Sequence, residues 1–259
     1  MNGKMRVWIG VLIFLGLSAF SLAQAEKPEG QLYFVEEMMV KMDRFSDFDA
    51  VIQKVVALCK EHSYPYPWLA YSTNDMHYYF VYPVKTRADI EDLFSTWDDL
   101  VEKMGKDKWQ ALYQPMVDSA EFIKYYEMRH LPAHSYTAAN TAPTPQDDPY
   151  TYWGFCYTKP GHEGELADIY MKYVELYESK NCPSSFESYV VLSGAELPAY
   201  FYVMRGKSLS GLFGESEKSE EMTGAESANL WTKLASHMRK YEYKIGTFRP
   251  KLSYMPEQQ

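Results

Sequence analysis

Apolar and polar positions along this chain switch between a strand period and a helix period, and the order of the switches recurs. From Leu32 to Val40 both parities are apolar apart from Glu36 and Glu37, the pattern of a strand covered on both faces. Asp43-Arg44-Phe45-Ser46 breaks the run, and Val51, Val55, Leu58 and Cys59 then fall at helical spacing, which predicts a helix from Ser46 or Asp47 to about His62, stopped by Pro65 and Pro67. Two short aromatic strands follow, 68–72 and 77–82, with Thr73-Asn74-Asp75 as the turn between them. Thr86 opens a helix carrying Ile90, Leu93, Phe94, Trp97 and Val101, and Gly105 ends it. A second helical piece from Asp107 carries Trp109, Leu112, Tyr113 and Met116, and a strand from Phe122 to about His130 follows.

Residues 138–149 contain three prolines among small polar residues and read as a linker. After it the order recurs. A strand is predicted over 150–158, a helix over 163–179 with Leu166, Ile169, Tyr170, Tyr173, Val174 and Tyr177 on a broad apolar face, and a hairpin over 186–192 and 200–204 broken by Gly194. Leu209 to Phe213 begins the next helical region, the polar run 215–226 reads as a surface loop, and 228–238 is a helix before the last strand. Ala111 to Tyr136 lies without a gap on Asn229 to Tyr254, a shift of 118 residues, the interval from Tyr136 to Tyr254. Under that shift Leu112 meets Leu230, Tyr125 meets Tyr243, Pro132 meets Pro250 and Ser135-Tyr136 meets Ser253-Tyr254, which points to an internal duplication.

Each half is therefore β-α-β-β-α-β, with helices on one face of a sheet whose other face needs a cover. With the duplicated endings Pro132 to Ser135-Tyr136 and Pro250 to Ser253-Tyr254, this order resembles the dimeric α/β-barrel superfamily, of which the antibiotic-biosynthesis-monooxygenase-like domains are a branch. The expected fold class is α+β: tandem ferredoxin-like repeats, 26–137 and 150–259, packed sheet to sheet as an intrachain α/β barrel. The resemblance implies a pocket in each half between sheet and helices, and a barrel interior between the sheets. Some relatives in the superfamily degrade haem, holding its iron through a histidine on the second helix with an aromatic residue and an asparagine nearby. On that resemblance His237 is the haem candidate, with Asn229 and Trp231 upstream on the same helix; the first strand of each half lacks the asparagine.

The N-terminus changes the expected location. Lys4 and Arg6, an apolar run from Val7 to Leu22 and Ala23-Gln24-Ala25 describe a secretory signal peptide, 1–25, cleaved after Ala25, so the mature chain is expected in the periplasm or outside the cell, with no stable membrane insertion. A net charge of −9 argues against a nucleic-acid partner. Three cysteines are too few for a disulfide framework, and Cys59, Cys156 and Cys182 are expected as free or partly buried thiols. No nucleophile elbow, phosphate-binding loop or dinucleotide fingerprint is present.

Candidate chemistry comes from the last strand of each half. Tyr241, Tyr243 and Ile245 share one parity, with Lys240, Glu242 and Lys244 on the other; carried back by 118 residues, the apolar parity becomes Ile123, Tyr125, Glu127 and Arg129. A charged pair on a covered face suggests a site, a structural ion pair near the barrel mouth, or a bulge that turns both side chains to solvent. Tyr71, His77, Tyr79, Glu127, Arg129 and His130 are the candidate ligand-binding residues, with Arg129 available to an anionic group and His77 to move a proton. His130 and His134 flank Pro132, which forbids a helical i, i+4 metal pair, and spacing nominates no metal site. Gly154 marks a bulge or a close approach of ligand or backbone. Three functions remain open: binding of a small, partly aromatic molecule by a monomer or weak homodimer, a monooxygenase-like or haem-related enzyme, and a structural or interaction protein whose own aromatics fill its pockets.

Overall fold

The structure, a computed structural model, describes residues 30–139, 144–194 and 196–256. The expected signal peptide and residues 140–143 of the expected linker lie outside the described residues. β1 (Leu32–Val40) pairs antiparallel with β3 (His77–Val84) on one side and β4 (Ala120–His130) on the other, and β2 (Leu69–Thr73) pairs with β3. The same arrangement follows with β5 (Tyr150–Thr158) between β7 (Ala199–Gly206) and β8 (Met238–Phe248), and β6 (Glu187–Ser193) beyond β7. β2 joins β8 and β4 joins β6, so eight antiparallel strands close into a barrel in the order β1-β3-β2-β8-β5-β7-β6-β4. Closure leaves no unpaired sheet edge.

Alternation along the strands sends one parity inward and the other to the helices. Tyr71, Tyr79, Tyr126, Trp153, Tyr189 and Phe201 fill the interior, with Tyr189 stacked on Phe201 at 4.8 Å and Tyr79 against Trp153 at 4.7 Å. Outside, α1 (Phe45–Glu61), α2 (Ala88–Met104) and α3 (Lys106–Ser119) cover the first sheet, where Phe48, Val55, Leu100 and Met116 bury against Tyr78 and Phe80. α4 (Glu163–Lys180) and α5 (Leu209–His237) cover the second. No helix among the described residues is long and apolar enough to cross a membrane. Cys59, Cys156 and Cys182 are free and buried.

Two expectations are corrected. The polar run 215–226 is not a loop: it belongs to α5, whose 29 residues form two helical segments that meet at a kink at Gly224 (φ 51°, ψ −128°). Its Glu, Lys and Met residues favour helix; Ser219 and Thr223, one turn apart, are buried, and Ser219 Oγ accepts from Ser184 N at 3.2 Å. A helix can bury hydroxyls rather than hydrocarbons, and hydrophobic periodicity then misses it. On β8 the charged parity turns inward. Lys244 lies at one end of the barrel, where its Nζ meets Asp75 Oδ2 at 2.5 Å and His77 Nδ1 at 2.7 Å, while Tyr241 faces the helices. Charges can point into a barrel at its mouth, where partners and solvent satisfy them.

The recurring Ser-Tyr endings lock the halves together reciprocally. Tyr136 bridges to Phe186 and Tyr254 to Trp68, each reaching the opposite half. Ser135 Oγ accepts from Ser188 N at 2.9 Å, and Ser253 Oγ accepts from Ala70 N at 2.9 Å. Tyr136 donates its hydroxyl to Cys182 O at 2.9 Å, and Tyr254 donates to Tyr64 O at 2.6 Å.

Candidate functional site

Between the second sheet and its helices lies a cavity of about 590 Å³, within the usual size of small-molecule sites. Tyr152, Tyr202 and Tyr241 form its floor, Tyr170, Tyr173 and Tyr177 come from α4, and Ser227, Trp231 and Leu234 come from α5. Ser227 is one of the small residues in the lining. Trp109, 118 residues before Ser227 in the sequence, packs in the first half against Trp97 at 5.3 Å and Tyr113 at 5.2 Å, whereas Ser227 carries only a hydroxymethyl group. Gly224 also lines the cavity, and its positive φ bends α5 there, a conformation that glycine adopts without penalty.

Gly154 shapes the floor. A Cβ at this residue would sit 2.4 Å from the Tyr202 ring, so the glycine lets that ring lie against β5. From there Tyr202 Oη meets Tyr241 Oη at 2.8 Å, and Tyr241 Oη meets Tyr152 Oη at 2.7 Å. Two hydrogen bonds consume two of the three hydroxyl hydrogens and leave one donor for a ligand. Burial raises the Tyr202 hydroxyl well above the usual tyrosine value, with the Tyr241 charge adding to it. Burial also raises Tyr241, followed by its bond to Tyr152. These hydroxyls stay protonated at neutral pH and act as donors rather than bases. Trp231 stands edge-on to Tyr241 at 5.1 Å. Among the described residues the one charged group in the lining is Glu220, which is exposed.

None of the candidate ligand-binding residues nominated from sequence lines this cavity; Trp231, named there beside His237, does. Tyr71 and Tyr79 are packed inside the barrel. Tyr71 Oη accepts from Arg205 at 3.2 Å, and Arg205 Nε binds Glu187 at 3.2 Å. His77 and Tyr79 gather at the other barrel end: His77 Nδ1 lies 2.9 Å from Asp75, and Tyr79 donates to Glu37 at 3.3 Å. Burial there raises the Asp75 carboxyl, but hydrogen bonds from His77, Lys244 and Thr73 overcome it and hold the group well below the usual carboxylate range. Glu127, on the helix-facing parity of β4 with Arg129, pairs with Arg87 Nε at 2.6 Å. His130 points to the barrel end holding Tyr189, 5.2 Å away, and burial lowers its pKa against the pull of Glu187.

His237, the haem candidate, is the last residue of α5 and does not line the cavity; its Nδ1 lies 2.9 Å from His162 Nδ1. Glu165 stands beside that pair, and the three ligand atoms lie within 4.8 Å of one another. Local spacing gave no signal for this group, because its histidines are 75 residues apart. Sequence reasoning also passed over Glu36. Its carboxyl sits on the helix side of β1, accepts from Tyr125 Oη at 3.3 Å, and is pushed up to about 7 by burial.

No family model and no curated protein matches the chain. Among solved structures it is similar to an anthrone oxidase-like protein (TM-score 0.61, 9% identity, 86% of this chain and 92% of that one). It is also similar to a proposed monooxygenase from Lactobacillus acidophilus (0.53, 7% identity, 88% and 97%) and to a chlorite dismutase mutant from Candidatus Nitrospira defluvii (0.50, 9% identity, 85% and 92%). At these identities the likeness shows the fold alone.

Proposed function

We propose that this protein binds a flat, uncharged aromatic molecule of two or three fused rings, bearing a ring carbonyl or hydroxyl, in the cavity of its second half. The observation that carries this is the lining: aromatic walls, three linked tyrosine hydroxyls with one donor to spare, and no cationic side chain among the described residues. Aromatic faces contribute area and offset stacking, and the spare hydroxyl fixes one oxygen of the ligand. Reduced polarity around the trio strengthens that bond and penalises a ligand with no acceptor there.

Haem does not suit this lining. Its described residues include no histidine for the iron and no cation for the propionates, and the buried Tyr202 and Tyr241 resist becoming phenolate ligands. A second reading is oxidation of such a phenol by dioxygen. It is supported by the anthrone oxidase-like and monooxygenase-like neighbours and by the donor trio, which would stabilise a phenolate or enolate oxygen as charge develops on it.

The matching strand registers, in which Val40 faces Ala120 and Thr158 faces Met238 at the same bulge, support an origin of the halves from one duplicated β-α-β-β-α-β unit. The barrel closes within one chain, so binding needs no second copy. Export is part of the proposal, and the intact mass of the secreted protein tests it: a mature chain beginning at Glu26 agrees, and retention of Met1 in a cell-associated chain does not.

The experiment is a thermal-shift panel of hydroxynaphthalenes, anthrones and aromatic carboxylates. Ligand at 100 times its dissociation constant adds about 2.7 kcal/mol of stability. The neutral fused-ring compounds should shift the melt and the carboxylates should not. Tyr241→Phe should weaken binding by about 0.5–1.5 kcal/mol, roughly twofold to tenfold. Shifts from carboxylates alone would contradict the reading. Oxygen uptake with the bound phenol separates the enzyme from the binder.

A further inference from the structure

The group His162, Glu165 and His237 has no part in the cavity lining, yet it joins the two helices that cover the cavity. His162 immediately precedes α4, Glu165 lies in its first turn, and His237 ends α5. The backbone holding them is fixed from both sides. Lys159 N donates to His237 O at 2.9 Å, Lys159 Nζ donates to Ser236 O at 2.8 Å, and His162 N donates back to Lys159 O at 3.0 Å. The imidazoles face each other through Nδ1 at 2.9 Å, a distance at which one ring donates a proton to the lone pair of the other.

We propose that His162, Glu165 and His237 form a binding site for a divalent first-row cation of the zinc class, and that the bound ion ties the start of α4 to the end of α5. Two imidazoles and a carboxylate are a donor set suited to Zn²⁺ and its neighbours rather than to Mg²⁺ or Ca²⁺, which prefer oxygen throughout. Three protein ligands leave a fourth position for water, the arrangement of an open zinc site. Metal–nitrogen bonds of about 2.0–2.1 Å at tetrahedral angles put two ligand nitrogens about 3.3–3.4 Å apart. The present pair therefore opens by about half an ångström, within the reach of a small ring rotation. At its end α5 presents carbonyl oxygens, whose partial negative charge favours a cation; the positive start of α4 opposes it, and Glu163 and Glu165 in the first turn offset that.

The site is independent of the aromatic ligand, so its test stands apart. Untagged chain is titrated calorimetrically with Zn²⁺ alone and spectroscopically with Co²⁺, alongside His162→Ala, His237→Ala and Glu165→Gln, with circular dichroism confirming the fold of each. One ion per chain is expected, with a visible Co²⁺ band showing nitrogen ligation. Affinity should fall about tenfold or more in each histidine variant. Zn²⁺ should raise the melting temperature of the parent protein and not that of the double histidine variant. Absence of uptake at about 100 µM Zn²⁺, or uptake of equal affinity in the double variant, would overturn the proposal.

Discussion

Replacing Glu36 with glutamine should change how stability depends on pH, in a direction the surroundings of the carboxyl determine. Glu36 pairs across β1 with Phe80 and Tyr125, and its charge bears on Tyr64 and Tyr82 nearby. Burial raises its pKa from 4.5 to about 7, against the hydrogen bond from Tyr125, which favours the charged form. The folded chain thus keeps a proton that the unfolded chain has lost between these values. Stability from this group is fully present below about pH 4.5 and is lost as pH rises through about 7. At about 1.4 kcal/mol per pH unit, the interval corresponds to about 3 kcal/mol. Glutamine has the same shape and cannot ionise. Relative to the parent protein, Glu36→Gln should gain up to about 3 kcal/mol at pH 8, or about 6–12 °C in melting temperature for a chain of this size. Near pH 4.5 the two should differ little. Urea melts of both proteins at pH 4.5, 6, 7 and 8 read the difference directly, because titrations elsewhere cancel between them. A difference that is flat across the series, or a parent protein more stable than the variant at pH 8, would refute the reasoning.

Two further substitutions test the packing. Tyr136→Phe and Tyr254→Phe each remove a buried hydroxyl that spans the halves, and each should cost about 1–3 kcal/mol in urea melts, because a carbonyl loses its partner; no loss in either would argue against the reciprocal clasp. Gly154→Ala should displace the Tyr202 ring and destabilise by about 1–3 kcal/mol, with a changed near-ultraviolet tyrosine signal; an unchanged melt would place that ring elsewhere.

Much of the barrel is legible in the sequence. The apolar run on both parities of β1 and the hairpin turn at Thr73-Asn74-Asp75 state their own structure, and the aligned endings reveal matching contacts because Ser135 and Ser253, like Tyr136 and Tyr254, make the same bonds. The cavity was half legible. Tyr170, Tyr173, Tyr177 and Tyr241 stand out as helix and strand faces, and Gly154 as a point of close approach, but polarity disguised the middle of α5, which buries Ser219 and Thr223. Ser227, a small polar residue on α5, carries no sequence signal that it lines a cavity. The charged candidates failed to converge for a different reason. Strand parity predicts which face a residue takes and not which end of a barrel it reaches, so His77, Glu127 and His130 share a sheet without sharing a site.

A flat aromatic molecule is proposed to bind in the second-half cavity. Ser227→Trp tests this by placing an indole at a residue that lines the cavity. Calorimetric titration of an anthrone or hydroxynaphthalene into the parent protein should show one site per chain, and titration into a folded Ser227→Trp protein should show none. Equal affinity in the two proteins, or no binding of any neutral fused-ring compound by the parent, would contradict the account.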